Sequence, residues 1–152
     1  MMTQVVRTDS SNSDFRNLVT LLDQDLRIRD GDEHTFYAAY NKIDSIAHVV
    51  VAYRDVTPVG CGAIKKYSDL VIEIKRMYVL PEYRGKGIAG AVLSNLEAWA
   101  VELGFTESIL ETGKKQPEAI RLYQKSGYIT IPNYGQYQGV ENSVCMQKKL
   151  TK

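Results

Sequence analysis

Cysteine and histidine are scarce here: the 152 residues hold two of each. Cys61 and Cys145 lie far apart in apolar, strand-like surroundings, so they read as small buried hydrophobes rather than as a disulfide framework. His34 and His48 are isolated, and no Cys/His spacing suits a metal, so no metal is expected. Neither sign of charge is in excess, with 19 Lys and Arg against 18 Asp and Glu and a net charge of +1. No global field therefore draws the chain to nucleic acid or to a membrane surface. No run approaches the roughly 18 apolar residues of a membrane span. The N-terminus carries no apolar stretch of signal-peptide length. The chain is expected to be soluble and cytoplasmic.

What is present fits an ordinary folded domain. The hydrophobic fraction is 44% and the charged fraction 24%, close to globular averages and against intrinsic disorder. No repeat, low-complexity tract or linker divides the chain, so 1–152 reads as a single domain. Gln4 to Arg7 forms a short β-branched run, and Asp9 to Asp14 a polar loop ending in a helix cap. Phe15, Leu18, Val19, Leu22 and Leu26 recur at three and four, one face of an amphipathic helix. Arg29-Asp30-Gly31-Asp32 breaks it, and Phe36, Tyr37 and Tyr40 mark a second short helix ending near Asn41.

Ile46 to Tyr53, Val59 to Lys66 and Leu70 to Val79 read as three strands of an antiparallel meander. A turn over Pro81 to Lys86 leads into a long helical pattern from Gly87 through Leu103, stopped by Gly104. Phe105 to Leu110 is a strand, and Gln116 to Lys125 a helix with Pro117 in its first turn. Tyr128 to Ile131 and Ser143 to Lys148 are the last strands, separated by a polar loop carrying Tyr134 and Tyr137. The order β–α–α–β–β–β–α–β–α–β–β predicts a mixed α+β fold whose sheet is partly parallel.

The stretch Val79-Leu80-Pro81-Glu82-Tyr83-Arg84-Gly85-Lys86-Gly87-Ile88-Ala89 carries the chemistry. A strand passes through a tight turn straight into a helix. Gly85 and Gly87 allow unusual backbone angles and close ligand approach. The free N–H groups and the dipole of the helix start favour a phosphate, and Arg84 and Lys86 add formal charge. The spacing is neither that of the lysine-containing P-loop nor the dinucleotide G-x-G-x-x-G pattern.

Arg84-Gly85-Lys86-Gly87-Ile88-Ala89 resembles the Arg/Gln-x-x-Gly-x-Gly/Ala signature of the GNAT N-acetyltransferase superfamily. Glu73-Ile74-Lys75-Arg76-Met77-Tyr78-Val79 is similar to that superfamily's central strand. Ala119-Ile120-Arg121-Leu122-Tyr123-Gln124-Lys125-Ser126-Gly127-Tyr128 is similar to its later helix. The resemblance covers Ile46 to Leu150. It implies a GNAT-type domain with a twisted mixed sheet of about six to seven strands, about four helices, and acetyl-CoA as co-substrate. Pyrophosphate would sit on the backbone of Arg84, Gly85, Lys86, Gly87, Ile88 and Ala89. Pantetheine would run beside Met77, Tyr78 and Val79, pairing like an added strand. The resemblance makes Tyr123 the candidate general acid toward the departing CoA thiolate. Glu73, six residues before Val79, is the candidate base, with Glu111 or a water chain as alternatives. Gln116 stands where many relatives have Asn.

The implied reaction is direct acetyl transfer to a primary amine of a small or amino-acid-like molecule. Acetylation of a protein N-terminus or lysine, and a non-catalytic acyl-CoA-binding domain, are the alternatives. By resemblance, the acceptor pocket falls to Asp23 to Glu33 and Asn133 to Gly139. The first segment holds Asp23, Asp25, Asp30, Asp32 and Glu33 around Arg27 and Arg29. Dimers are common in the superfamily, so a homodimer is a possible assembly.

Overall fold

The loop that should end in a helix cap does so, since Asn12 Oδ1 accepts from the Phe15 N–H at 2.9 Å. Helix α1 (Ser13–Asp30) follows from there. The computed structural model describes residues 3–30 and 46–151. Strand β1 (Thr3–Thr8) precedes α1, and β2 (His48–Arg54), β3 (Thr57–Lys66) and β4 (Val71–Val79) form the expected antiparallel meander. A 3-10 turn over Pro81–Tyr83 leads to helix α2 (Ile88–Glu102), then come β5 (Glu107–Gly113), helix α3 (Pro117–Lys125), β6 (Ile129–Ile131) and β7 (Ser143–Lys149). The seven strands make one sheet in the order β1-β2-β3-β4-β5-β7-β6. Three helices lie among the described residues. The short helix expected from Phe36 to Asn41 lies outside them.

Alternation along the strands sorts the two faces. Val49, Val51, Cys61, Ala63 and Tyr78 meet Phe15, Leu18, Val19 and Leu22 of α1. Val50, Ala52, Ile72, Ile74 and Leu110 share a second cluster with Val92, Leu93, Leu96 and Ala100 of α2. Full burial of each Val, Leu, Ile or Phe among them contributes about 1.5–3 kcal/mol. Both cysteines are free and buried, as expected of small hydrophobes. Among the described residues no helix is long and apolar enough to cross a membrane.

Two irregularities in β4 shape the site. Pairing with β3 slips between Cys61↔Tyr78 and Ala63↔Lys75, so β4 spends one residue more than β3. The slip is a β-bulge, and Arg76 lies in it with φ of +60°. A left-handed non-glycine residue costs on the order of 1–3 kcal/mol, so something must hold it. Arg76 Nη1 donates to Asp23 Oδ1 of α1 at 3.0 Å, and the Arg76 carbonyl accepts from Cys61 Sγ at 3.4 Å.

Opposite the bulge, Gly62 has no room for a side chain. A Cβ there would lie 2.6 Å from Met77 Sδ, 2.8 Å from Leu96 Cδ1 and 2.9 Å from Val92 Cγ1. Gly62→Ala is therefore expected to destabilise by about 1–3 kcal/mol through overpacking. Urea unfolding measures it, and a midpoint equal to wild type would contradict the close packing.

The second irregularity is the parting of β4 from β5. They pair in parallel only over Val71↔Glu107, Ile72↔Ser108 and Glu73↔Ile109. Beyond Glu73, β4 stays with β3 as far as Val79↔Gly60, while β5 stays with β7 as far as Gly113↔Ser143. The sheet is thus split down its middle, and the split opens toward the start of α2.

Candidate functional site

The turn before α2 is built for an anion. Gly85 and Gly87 have φ of +78° and +81°, angles that side chains other than glycine's rarely adopt. Gly87 is the N-cap residue of α2, no side chain caps the helix, and its first turn holds no acid. Helix geometry leaves the N–H groups of Gly87, Ile88, Ala89 and Gly90 without an intrahelical acceptor. Those donors and the helix dipole converge on one space. Arg84 contributes less charge to that space than its sequence position suggests. Its Nε donates to Val79 O at 2.9 Å, and its guanidinium lies 5.5 Å from the centre of the Tyr78 ring, bracing the end of β4.

A cavity of about 510 Å³ runs from this turn into the split between β4 and β5. It brings together Met77, Tyr78, Val79, Arg84, Gly85, Gly87, Ile88, Ala89, Gln116 and Tyr123. Of the residues expected to hold a cofactor, Lys86 is the exception; it is exposed and does not line the cavity. Arg121 and Lys125 of α3 do line it and were not anticipated. Their i, i+4 spacing, which places both on one face of a helix, was the available signal.

A second cavity of about 110 Å³ holds Glu73, Glu111, Lys75, Arg76 and Tyr137. Leu22, Met77, Gln116, Ala119 and Tyr123 line both cavities, so the two meet there. Leu22 and Leu26 of α1 wall the smaller cavity, while Asp25 faces the larger one. Asp23 is engaged with Arg76. Of the expected acceptor segment at the end of α1, Asp32 and Glu33 lie outside the described residues.

Both carboxylates of the smaller cavity are fixed by neutral hydroxyls. Tyr134 donates to Glu73 Oε2 at 2.6 Å, and Ser143 donates to Glu111 Oε2 at 2.7 Å. Lys75 Nζ stands 3.8 Å from Glu73 Oε1, a basic neighbour of the kind the strand sequence offers beside that carboxylate. Burial pushes the Lys75 ammonium pKa down, against the opposing pull of Glu73 and Glu111. Tyr123 is buried, with its ring packed edge-on against Tyr128 at 5.8 Å. Burial first, and the charge of Glu111 second, push the Tyr123 phenol well above its ordinary value. Burial and the nearby carboxylates do the same to Tyr137. These tyrosines are therefore neutral donors throughout the physiological range. Among the described residues no group of three or more His, Cys, Asp and Glu side chains could hold a metal.

The sequence model of the Acetyltransferase (GNAT) family matches residues 15–128. A protein of Azospirillum brasilense named IAA acetyltransferase is 38% identical over 102 residues, covering 66% of this chain and 67% of its own length. Across six curated relatives, this one included, the matched stretch spans between 51% and 67% of their length. Among solved structures, one from Klebsiella pneumoniae described as an acyl-CoA N-acyltransferase superposes with a TM-score of 0.82. It is 29% identical and covers 98% of both chains. The paia N-acetyltransferase of Thermoplasma acidophilum, solved in complex with coenzyme A, superposes with a TM-score of 0.72 over 98% of this chain and 99% of its own, at 18% identity.

Proposed function

The chain belongs to the GNAT acetyltransferase family, and from that premise we propose that it moves the acetyl group of acetyl-CoA directly to a primary amine of a small, amino-acid-like molecule. The observation that carries this reading is the meeting of the two cavities at Met77 and Tyr123. The larger one has an anion-binding turn at one end and an unpaired strand edge along its length, which suits pyrophosphate and pantetheine in turn. A Thermoplasma acidophilum protein of the same fold was solved with coenzyme A. The smaller cavity, at the far end of the split, presents carboxylates to the acceptor.

In this reading the acetyl thioester lies where the cavities join. Backbone N–H groups along the free edge of β4 polarise its carbonyl and stabilise the tetrahedral oxyanion. An acceptor amine arrives largely as its ammonium, since a reference alkylamine has a pKa of about 10.4. Glu73 takes the proton, directly or through water, and the free amine attacks the carbonyl carbon. A C–N bond forms, the C–S bond breaks as Tyr123 donates to the departing thiolate, and the second proton, shed by the attacking nitrogen, returns through water to the Tyr123 phenolate.

The loop between β6 and β7 favours a small acceptor over a peptide. Tyr137 is buried in the wall of the smaller cavity, and Tyr134 is bonded to Glu73. Asn133 Nδ2 donates to Val140 O at 2.9 Å and draws the loop's two ends together. An open groove for an extended chain would need that side clear.

The test follows free thiol release from acetyl-CoA across a panel of amines and peptides. Amino acids and small amines are expected to turn over faster than peptide N-termini. Acetyl-CoA binding with no thiol release from any acceptor would overturn the enzyme reading in favour of a binding module.

A further inference from the structure

We propose that Tyr134 is a positioning residue for Glu73, its phenol fixing one carboxylate oxygen so that the other can exchange a proton with the acceptor. The inference rests on the amine transfer proposed above. Tyr134 is 61 residues from Glu73 in sequence, on the loop between β6 and β7, yet its hydroxyl donates to Oε2 at 2.6 Å. The ring cannot swing freely. Tyr67 lies edge-on at 5.3 Å and Tyr137 at 5.7 Å, and the Tyr134 carbonyl accepts from the Tyr137 N–H at 2.9 Å.

The other neighbour of the carboxylate, Lys75 Nζ at 3.8 Å from Oε1, is beyond hydrogen-bond length. Lys75 therefore supplies field, and Tyr134 supplies geometry. A neutral donor also orients a carboxylate without cancelling its charge. Burial, followed by the charge of Glu73 and the hydrogen bond to it, pushes the Tyr134 phenol far above its ordinary value, so it donates at every working pH. A donor to the ionised form favours that form.

Other groups surround the same carboxylate. Lys65 is its partner across the ladder on β3, Arg76 of β4 and Glu111 of β5 line the same cavity, and Cys145 of β7 and Tyr137 of the loop feel its charge. Removing the Tyr134 hydroxyl alone leaves that charge set intact, so a change in proton uptake can be assigned to the lost bond.

The experiment compares wild type, Tyr134→Phe and Glu73→Gln with the best amine from the panel. Tyr134→Phe keeps the ring contacts. Its kcat is expected to fall about tenfold while KM for acetyl-CoA is unchanged. The acid limb of its kcat/KM profile is expected to move, because the base has lost its hydrogen-bond donor. A packing defect alone would not move that limb.

Tyr134→Phe with wild-type kcat and an unmoved limb overturns the inference and leaves amine transfer standing. Glu73→Gln with wild-type kcat overturns both the base and its positioning. Wild-type protein that releases no thiol with any amine overturns the functional reading itself, and this inference with it.

Discussion

Tyr123→Phe is expected to lower kcat about 100-fold while leaving acetyl-CoA affinity within about twofold, the lower end of what a general acid contributes. The substitution removes one oxygen from a buried ring and keeps the edge-on contact with Tyr128, so stability should change little. What it removes is the donor that lines both cavities where they meet.

The raised proton affinity of this phenol looks unsuited to an acid. A reference phenol at about 10 could give its proton to a thiolate whose conjugate acid lies near 8.5 only at some cost, and burial lifts Tyr123 further. The same dry surroundings also penalise the departing thiolate, which is an anion too. Burial therefore raises both partners, and Tyr123 begins as a hydrogen-bond donor to sulfur as negative charge gathers there. One consequence is a rate profile with no limb from Tyr123 below about pH 10. Single-turnover kinetics with acetyl-CoA and the best amine measures the loss. A Phe variant with wild-type kcat removes Tyr123 as the acid.

Much of the frame is written locally. Gly85 and Gly87 could be read as a turn because the positive φ values they adopt are ones that glycine takes without strain. The three meander strands were legible from β-branched runs between turn residues, and the amphipathic face of α1 from its three-and-four spacing. β5 was placed too early, at Phe105 to Leu110. The Phe105 N–H closes the end of α2 onto Ala100 O instead, and the Thr106 and Glu107 N–H groups go to Leu70 O. At the other end Glu111-Thr112-Gly113 looks like loop sequence, yet it pairs with Cys145, Val144 and Ser143. A neighbouring strand decides that, and the segment's own propensity does not.

The bulge at Arg76 had a faint signal. Ile72 and Ile74 alternate with polar residues, then the adjacent charges Lys75 and Arg76 break the period before Met77 and Val79 resume it. What makes the slip possible is remote, namely Gly62 on β3 and Asp23 on α1. The contact between Tyr134 and Glu73 carries no local signal at all. Both residues were singled out separately, and only the folded loop shows that one holds the other.

Gly87→Val is expected to weaken acetyl-CoA binding by about 100-fold or more, roughly 2.7 kcal/mol. A Cβ at Gly87 would meet nothing within 4 Å, so the first added carbon collides with no protein atom. It enters the cavity that Gly87 lines, where the helix-start donors converge. Hydrogen bonds to a charged partner contribute about 1.5–3 kcal/mol each, so displacing a phosphate from two of them accounts for the loss. Strain is the competing explanation, because a β-branched residue at φ of +81° is disfavoured by on the order of 1–3 kcal/mol. Gly104 separates the two. It has φ of +95°, open space at its Cβ, and no place in either cavity. Gly104→Val should lose similar stability in urea and keep wild-type affinity by calorimetry. Gly87→Val should lose both. Equal acetyl-CoA affinity in the two folded variants would mean that the start of α2 does not hold the pyrophosphate.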